Sequence, residues 1–255
     1  MDWSKVYSYC ERGGDPGFWA EPLNALSNGA FIIAGLIAAW QLARAPRSDR
    51  ALFEWLLVAL ILAIGVGSFM FHTYATVWAI PFDTIPISAF MLAYLGYALC
   101  RFAGVPLIVV ALALVAFYLS VRYMQAIHCS NELLPMTRAA GKRCFNGTLG
   151  YTPAFAALVL VGSLLLWQGH RAAGYLFAAG VLFLAAMTFR TIDLEVCTWA
   201  VRSGRGVGTH FLWHMLNGLV LWVLMLAAIR HGAPGGDGSI CASLAKRRIK
   251  ARTRS

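Results

Sequence analysis

Seven apolar runs, each long enough to cross a lipid bilayer as a helix, dominate the sequence. A hydrocarbon core of about 30 Å needs roughly 20 apolar residues in helical conformation. The chain has 255 residues, 60% hydrophobic and only 13% charged, and a soluble domain of this length could not bury so much apolar surface. The sequence therefore predicts an all-α membrane protein with seven transmembrane helices. They lie at about 24–43, 52–73, 82–101, 104–123, 149–168, 172–190 and 209–230.

The polar segments divide the chain into three parts. Residues 1–23 form an N-terminal extramembrane segment without the apolar stretch of a cleavable signal peptide. Residues 24–230 form one seven-helix domain, and 231–255 form a basic tail. The tail carries six basic residues in its last ten positions, namely Lys246, Arg247, Arg248, Lys250, Arg252 and Arg254. A basic tail beside a transmembrane helix favours contact with anionic lipid headgroups, so we expect a membrane partner and no nucleic acid. The sequence leaves the oligomeric state open.

Several residues that could hold a metal occur at the ends of these helices. His72 ends the second helix, Asp83 begins the third, and His210 and His214 begin the seventh. With seven crossings, these three helix ends lie at the same face of the membrane. Ionisable side chains at membrane depth indicate function by default. Three imidazoles and a nearby carboxylate suit a catalytic zinc ion that keeps one position for water.

Each residue also has a simpler interpretation. His210 and His214, four residues apart, share one helix face, but they could instead form hydrogen bonds between helices. Ser68 lies one turn before His72 and could serve only as a small residue at a helix contact. Asp83 could cap the third helix. Asp193 could pair with a nearby arginine such as Arg190 or orient a metal-binding histidine.

Charge placement predicts the orientation. The basic tail favours an outer N-terminus and a cytoplasmic C-terminus, although the 4–5 and 6–7 loops also carry arginines and lysines. The short loops and compact length suit a bacterial inner membrane.

Four cysteines fall on the face assigned to the outside: Cys10, Cys129, Cys144 and Cys197. Four cysteines allow three pairings. We predict that Cys10 pairs with Cys197 and Cys129 with Cys144. Free thiols in a reducing compartment remain the alternative.

Taken together, the motifs resemble the alkaline ceramidase family, part of a superfamily that also contains the progestin and adiponectin receptors. The resemblance extends over the whole seven-helix chain. The motifs that carry it are Gly67-Ser68-x-x-Phe71-His72-x-Thr73, Asp83 followed by Pro86, Ile192-Asp193-x-x-x-Cys197, and His210-x-x-Trp213-His214-x-x-x-Gly218.

The resemblance implies a zinc-dependent amidase that cleaves ceramide, or a related lipid within the bilayer, into a fatty acid and a sphingoid base. It implies that His72, His210 and His214 bind zinc and that Ser68 and Asp83 contact the catalytic water. The alternatives are a hydrolase of another acyl lipid and a receptor-like protein with a structural zinc. A transporter is disfavoured, because the hydropathy shows no inverted repeat.

The N-terminal segment departs from the family's calcium-binding pattern. The family has Asp-Trp-Cys-Glu where this chain has Ser8-Tyr9-Cys10-Glu11, and Gly13 stands where another oxygen ligand is expected. Calcium needs six to eight oxygens. The residues that could supply them are Glu11, Asp15, Glu21 and Asn24. The alternative is that these acids are solvated or salt-bridged.

Overall fold

The fold consists of helices joined by short turns. The computed structural model describes residues 1–45, 51–127, 144–199, 201–202 and 204–232. The helices are α1 (Pro22–Ser27), α2 (Gly29–Arg44), α3 (Ala51–Tyr74), α4 (Ile80–Tyr97), α5 (Leu107–Ala126), α6 (Thr152–Trp167), α7 (Ala173–Ile192) and α8 (His210–His231). Two short strands, β1 (Val201–Arg202) and β2 (Arg205–Gly206), pair antiparallel before α8.

The predicted all-α fold with seven membrane-spanning helices is confirmed. Seven helical stretches in the described part of the chain are long and apolar enough to cross a membrane. The first of them combines α1 and α2, and the third extends α4 by a π-helical turn at Ala98–Phe102. The predicted boundaries agree with the observed ones to within about three residues. The basic tail and most of the predicted 4–5 loop lie outside the described residues.

The seven long helices form a closed ring. Each helix from α2 to α8 contacts the next one along the chain, and α8 completes the ring against α2. α8 also contacts α3, and it has the largest buried share of any of the spans. The helix that carries two of the three candidate histidines is therefore the one most enclosed by its neighbours.

An apolar cavity lies inside this ring. Its volume is about 840 Å³, part of which opens to the surroundings. All seven long helices contribute to its wall, including Phe31 of α2, Ile64 of α3 and Phe117 of α5. Trp213 and Asn217 of α8 also line it, and these two residues flank His214 in the sequence. The cavity thus reaches the turn of α8 that carries a candidate metal ligand.

A close helix contact fixes the start of α4 beside the end of α3. Gly67 lies so near the backbone of Phe82 that a Cβ atom there would clash with the Phe82 carbonyl group, whose carbon would be 2.7 Å away. The amide nitrogen of Asp83 would lie at 3.5 Å. Ser68 and Asp83 each follow a residue of this contact, so the glycine brings their two helices together at the level of the site.

We expect Gly67→Ala to destabilise the protein, because the added methyl group has no room between α3 and α4. Overpacking of this kind costs about 1–3 kcal/mol. Gly96→Ala is the matched control, since the nearest side-chain atom to its Cβ would be 3.5 Å away, an ordinary contact. Thermal unfolding of both variants in detergent would measure the effect. Equal melting temperatures for the two variants would contradict the close contact.

Candidate metal centre

The three predicted histidines come together. His72 lies near the end of α3, and His210 and His214 occupy the first two turns of α8. All three side chains are buried, and one ring nitrogen from each lies within 4.8 Å of the others. Metal–nitrogen bonds of about 2.0–2.1 Å would let the three nitrogens share one ion. The structure thus brings the three predicted histidines together, and no other group of this kind occurs in the described part of the chain.

The ring of His72 is held by Glu21, which lies just before α1. Nδ1 of His72 lies 2.6 Å from Oε2 of Glu21. Burial raises the pKa of the Glu21 carboxyl, but its hydrogen bonds with His72, Arg12 and Asn24 outweigh this effect and leave the pKa below its ordinary value. Glu21 is therefore ionised and can only accept, so Nδ1 of His72 carries the proton. Nε2 is left with the lone pair that a metal needs.

The ring of His214 is held in the same way by Ser27 of α1. Its Nδ1 lies 2.8 Å from the Ser27 hydroxyl oxygen. That hydroxyl donates its single proton to the carbonyl oxygen of Asn24, at 2.9 Å. It must therefore accept from His214, and Nε2 of this ring is again free to bind a metal. A histidine ligand that donates its other ring N–H to a protein acceptor is the usual arrangement at metal sites.

His210 completes the group with a different environment. Its Nδ1 is buried and has no hydrogen-bond partner among the described residues. The ring stacks on Tyr9, with centroids 3.9 Å apart and an interplanar angle of 24°. A buried nitrogen without a partner is costly in an apolar setting. The three rings together therefore fit a metal ion.

Asp193 holds the start of α8 in place. Oδ1 accepts the backbone N–H groups of Thr209 and His210, at 2.7 and 2.8 Å, and Oδ2 accepts that of Cys10, at 3.1 Å. Burial raises the pKa of this carboxyl, although the three amide hydrogen bonds oppose the shift. Asp193 thus orients His210, a candidate metal ligand, through its backbone, and the nearby charge of Arg190 also lowers the pKa of this carboxyl.

The predicted disulfide between Cys10 and Cys197 is present, with Cα atoms 5.5 Å apart. It ties the N-terminal segment to the stretch between α7 and α8. Tyr9, adjacent to Cys10, is thereby held against His210. Cys129 lies outside the described residues, so its pairing with Cys144 stays a prediction.

Ser68 and Asp83 belong to the two helices that meet at the Gly67 contact. Ser68 is buried one turn before His72. Asp83 is half-buried in the first turn of α4, whose N-cap residue is Ala79, so Asp83 is not the helix cap. Burial raises the pKa of the Tyr9 phenol, and the charge of Asp83 adds to this shift. Asp83 therefore lies within electrostatic reach of the tyrosine that covers His210.

Sequence reasoning missed an arginine beside the site. The guanidinium of Arg190 lies 5.3 Å from the ring centroid of Trp213, 5.4 Å from that of Tyr151 and 5.8 Å from that of Tyr9. Tyr151 and Trp213 also line the apolar cavity. A positive charge thus stands where the cavity meets the histidines. From the sequence, Arg190 was expected to pair with Asp193. No sequence pattern indicated that three aromatic rings would lie around its guanidinium.

The carboxyl groups of the residues proposed for calcium all accept hydrogen bonds. Glu11 accepts the backbone N–H groups of Leu23 and Asn24, at 2.7 and 2.8 Å. Burial raises the pKa of its carboxyl, and these two hydrogen bonds oppose that shift. Asp15 accepts the backbone N–H of Gly17 at 2.7 Å. These two carboxyl groups are engaged with nearby backbone.

Glu21 and Asn24, the other two proposed calcium ligands, contact one another. Glu21 is shared by His72, Arg12 and the side-chain amide of Asn24. The side-chain oxygen of Asn24 is buried and has no hydrogen-bond partner among the described residues. The calcium site therefore stays a prediction. Sequence reasoning missed the contact of Glu21 with His72, because hydropathy does not reveal how residues 1–28 fold over the helix ends.

We expect His72→Ala, His210→Ala and His214→Ala each to lose the bound metal, because two imidazoles hold a zinc ion far more weakly than three. Elemental analysis of the purified proteins would measure about one metal ion per chain in the parent and far less in each variant. His170→Ala is the control, since its ring accepts the backbone N–H of Ala172 instead. Full metal content in all three variants would contradict the site.

We also expect Gly208→Ala to weaken metal binding. Gly208 has a positive φ of 63°, and a Cβ atom there would meet the carboxylate of Asp193 and lie 2.6 Å from Cβ of Cys10. Gly204→Ala is the matched control, because its φ is also positive, at 79°, but nothing lies within 4 Å of the added atom. In both variants the alanine would adopt a positive φ, which costs about 1–2 kcal/mol of backbone strain. Metal affinity should therefore fall only in Gly208→Ala, and equal values would refute the positioning role of Asp193.

Comparisons with known proteins add no assignment. No protein-family model matches the chain, and no curated protein matches its sequence. The function is therefore inferred from the chemistry of the three histidines and their surroundings.

Proposed function

We propose that the protein is a zinc-dependent membrane hydrolase that cleaves the N-acyl bond of ceramide or a related lipid. The observation that carries the proposal is the meeting of two features. Three buried histidines, two of them with Nδ1 held by an acceptor, offer neutral imidazole nitrogens to one metal ion. A large apolar cavity reaches the same turn of α8. A metal site of the hydrolytic type beside a hydrocarbon-lined cavity suits a lipid substrate.

The cavity supports the assignment of an acyl chain. Its wall is made almost entirely of aliphatic and aromatic side chains, with Asn217 and the hydroxyl-bearing Tyr94 and Tyr151 as its polar members. An acyl chain in this space would present its carbonyl carbon to the histidines.

Zinc held by the three histidines would supply Lewis-acid polarisation of the carbonyl and activation of a water molecule. Asp83 is the proposed general base: it takes a proton from the attacking water and passes it to the amide nitrogen as the C–N bond breaks. Its place at the start of α4, next to the Gly67 contact, keeps it at the level of the histidines.

Two further residues would stabilise negative charge. Ser68, one turn from His72, donates a hydrogen bond to the oxyanion that forms when water adds to the carbonyl. Arg190, caged by Tyr9, Tyr151 and Trp213, provides a cation for the carboxylate of the released fatty acid. The free amine leaves as a sphingoid base.

A panel of lipids tests the substrate class. Fatty-acid release from purified protein would be measured with ceramides, other N-acyl lipids and acyl esters. Hydrolysis of ceramides supports the proposal, and hydrolysis of another group alone would assign the same chemistry to that lipid. A protein that holds zinc and hydrolyses none of them would refute the enzymatic assignment and favour a receptor-like protein with a structural metal.

We expect Asp83→Asn to lower the hydrolysis rate by roughly 10²–10⁴-fold, the usual contribution of a general base. Ser68→Ala should lower it by roughly 10²–10³-fold, as for an oxyanion donor. Both variants should keep their metal, because neither residue is a proposed ligand. Thr84→Ala is the control, since this exposed hydroxyl donates to its own helix, at Ile80. Unchanged rates for Asp83→Asn would eliminate the mechanism.

A further inference from the structure

Arg12 lies in a cage of oxygen atoms at the level of the histidines. Its side chain is completely buried. Nε donates to Oε1 of Glu21 at 2.5 Å. Nη1 donates to the carbonyl oxygens of Asp15 and Gly17, at 3.1 and 2.9 Å. Nη2 donates to those of His72 and Thr73, at 2.9 and 3.5 Å. A guanidinium has five N–H groups, so the cage supplies one acceptor for each of them.

The five acceptors come from three separate parts of the chain. The carbonyls of His72 and Thr73 are among the last four of α3, which have no partner within their own helix and carry the negative end of its dipole. Two other carbonyls belong to the loop at residues 15–17, and Glu21 precedes α1. One buried cation thus joins the loop, the carboxylate and the end of the helix that carries His72.

Glu11, the residue before Arg12, pairs with the start of α1, a helix end of opposite polarity to the end of α3. Glu11 accepts two backbone N–H groups at the start of α1, where the helix presents unpaired donors. Consecutive residues of opposite charge therefore neutralise the end of α3 and the start of α1. Both charges are used by the fold.

We propose that Arg12 is a positioning residue of the candidate metal centre: through Glu21 it holds the ring of His72 in place for the metal. The inference rests on the proposed function to the extent that His72 is a metal ligand.

Arg12 acts as a positioning residue through a short chain of contacts. Its Nε holds one oxygen of the Glu21 carboxylate, and the other oxygen accepts from Nδ1 of His72. Without the guanidinium, the carboxylate and the end of α3 would lose their shared partner. Loss of a residue that supports a metal ligand typically lowers metal affinity by about 10–100-fold.

Zinc affinity of the full-length protein, measured by competition with a chelator, tests this role. We expect Arg12→Ala to lose about 10–100-fold in affinity. Arg12→Lys should also lose affinity, because an ammonium cannot reach acceptors on three sides. Arg44→Ala is the control, since its guanidinium is exposed and lies over the Trp40 ring. If Arg12→Ala does not fold, Arg12→Lys and Glu21→Gln give the same readout. Parent-like affinity in the folded variants would overturn the positioning role.

This measurement does not require hydrolysis. A protein that cleaves no lipid but loses zinc affinity on Arg12→Ala would refute the proposed function and leave this inference intact.

Discussion

The candidate metal centre depends on satisfying every polar group that is buried at one end of the helical ring. Three imidazoles, a carboxylate and a guanidinium lie together out of contact with water, where each unpaired group would cost free energy. The N-terminal segment supplies most of the partners. Glu21 and Ser27 accept the ring N–H groups of two histidines, and Arg12 donates to the carbonyls at the end of α3. This segment, which contains no long helix, is therefore as necessary to the site as the ring itself.

The seven helices could be predicted from the sequence because a bilayer imposes a length and a composition on every crossing. The same constraint predicted that the three histidines lie at one face, since the number of crossings between two helix ends decides whether they share a face. The shared face made the pairing of Cys10 with Cys197 one of three possible ones, and the structure contains this disulfide. These predictions depend on distances along the chain and on the counting of crossings, which the sequence contains directly.

The partners of the histidines could not be predicted in this way. Residues 1–28 have no periodicity that fixes how they fold, so the acids there looked like ligands for a soluble cation. The structure uses Glu11 at the start of a helix and Glu21 beneath a histidine. Arg190 was assigned to an acidic neighbour, but aromatic rings surround it. For Glu21 and Arg190 the deciding contacts join residues far apart in sequence, and no local pattern indicates them.

The disulfide spans 187 residues, which bears on how the molecule is made. Cys197 follows α7, and two of the three histidines lie on α8. The ribosome must therefore synthesise six crossings before the N-terminal segment can be fastened, and part of a seventh before a metal ion can be held. During that interval Tyr9 lacks the ring of His210 on which it stacks in the finished protein, whereas Arg12 and Glu21 already have their partners on α3. A metal ion that needs all three histidines could therefore bind only at the last stage of synthesis, when the ring closes.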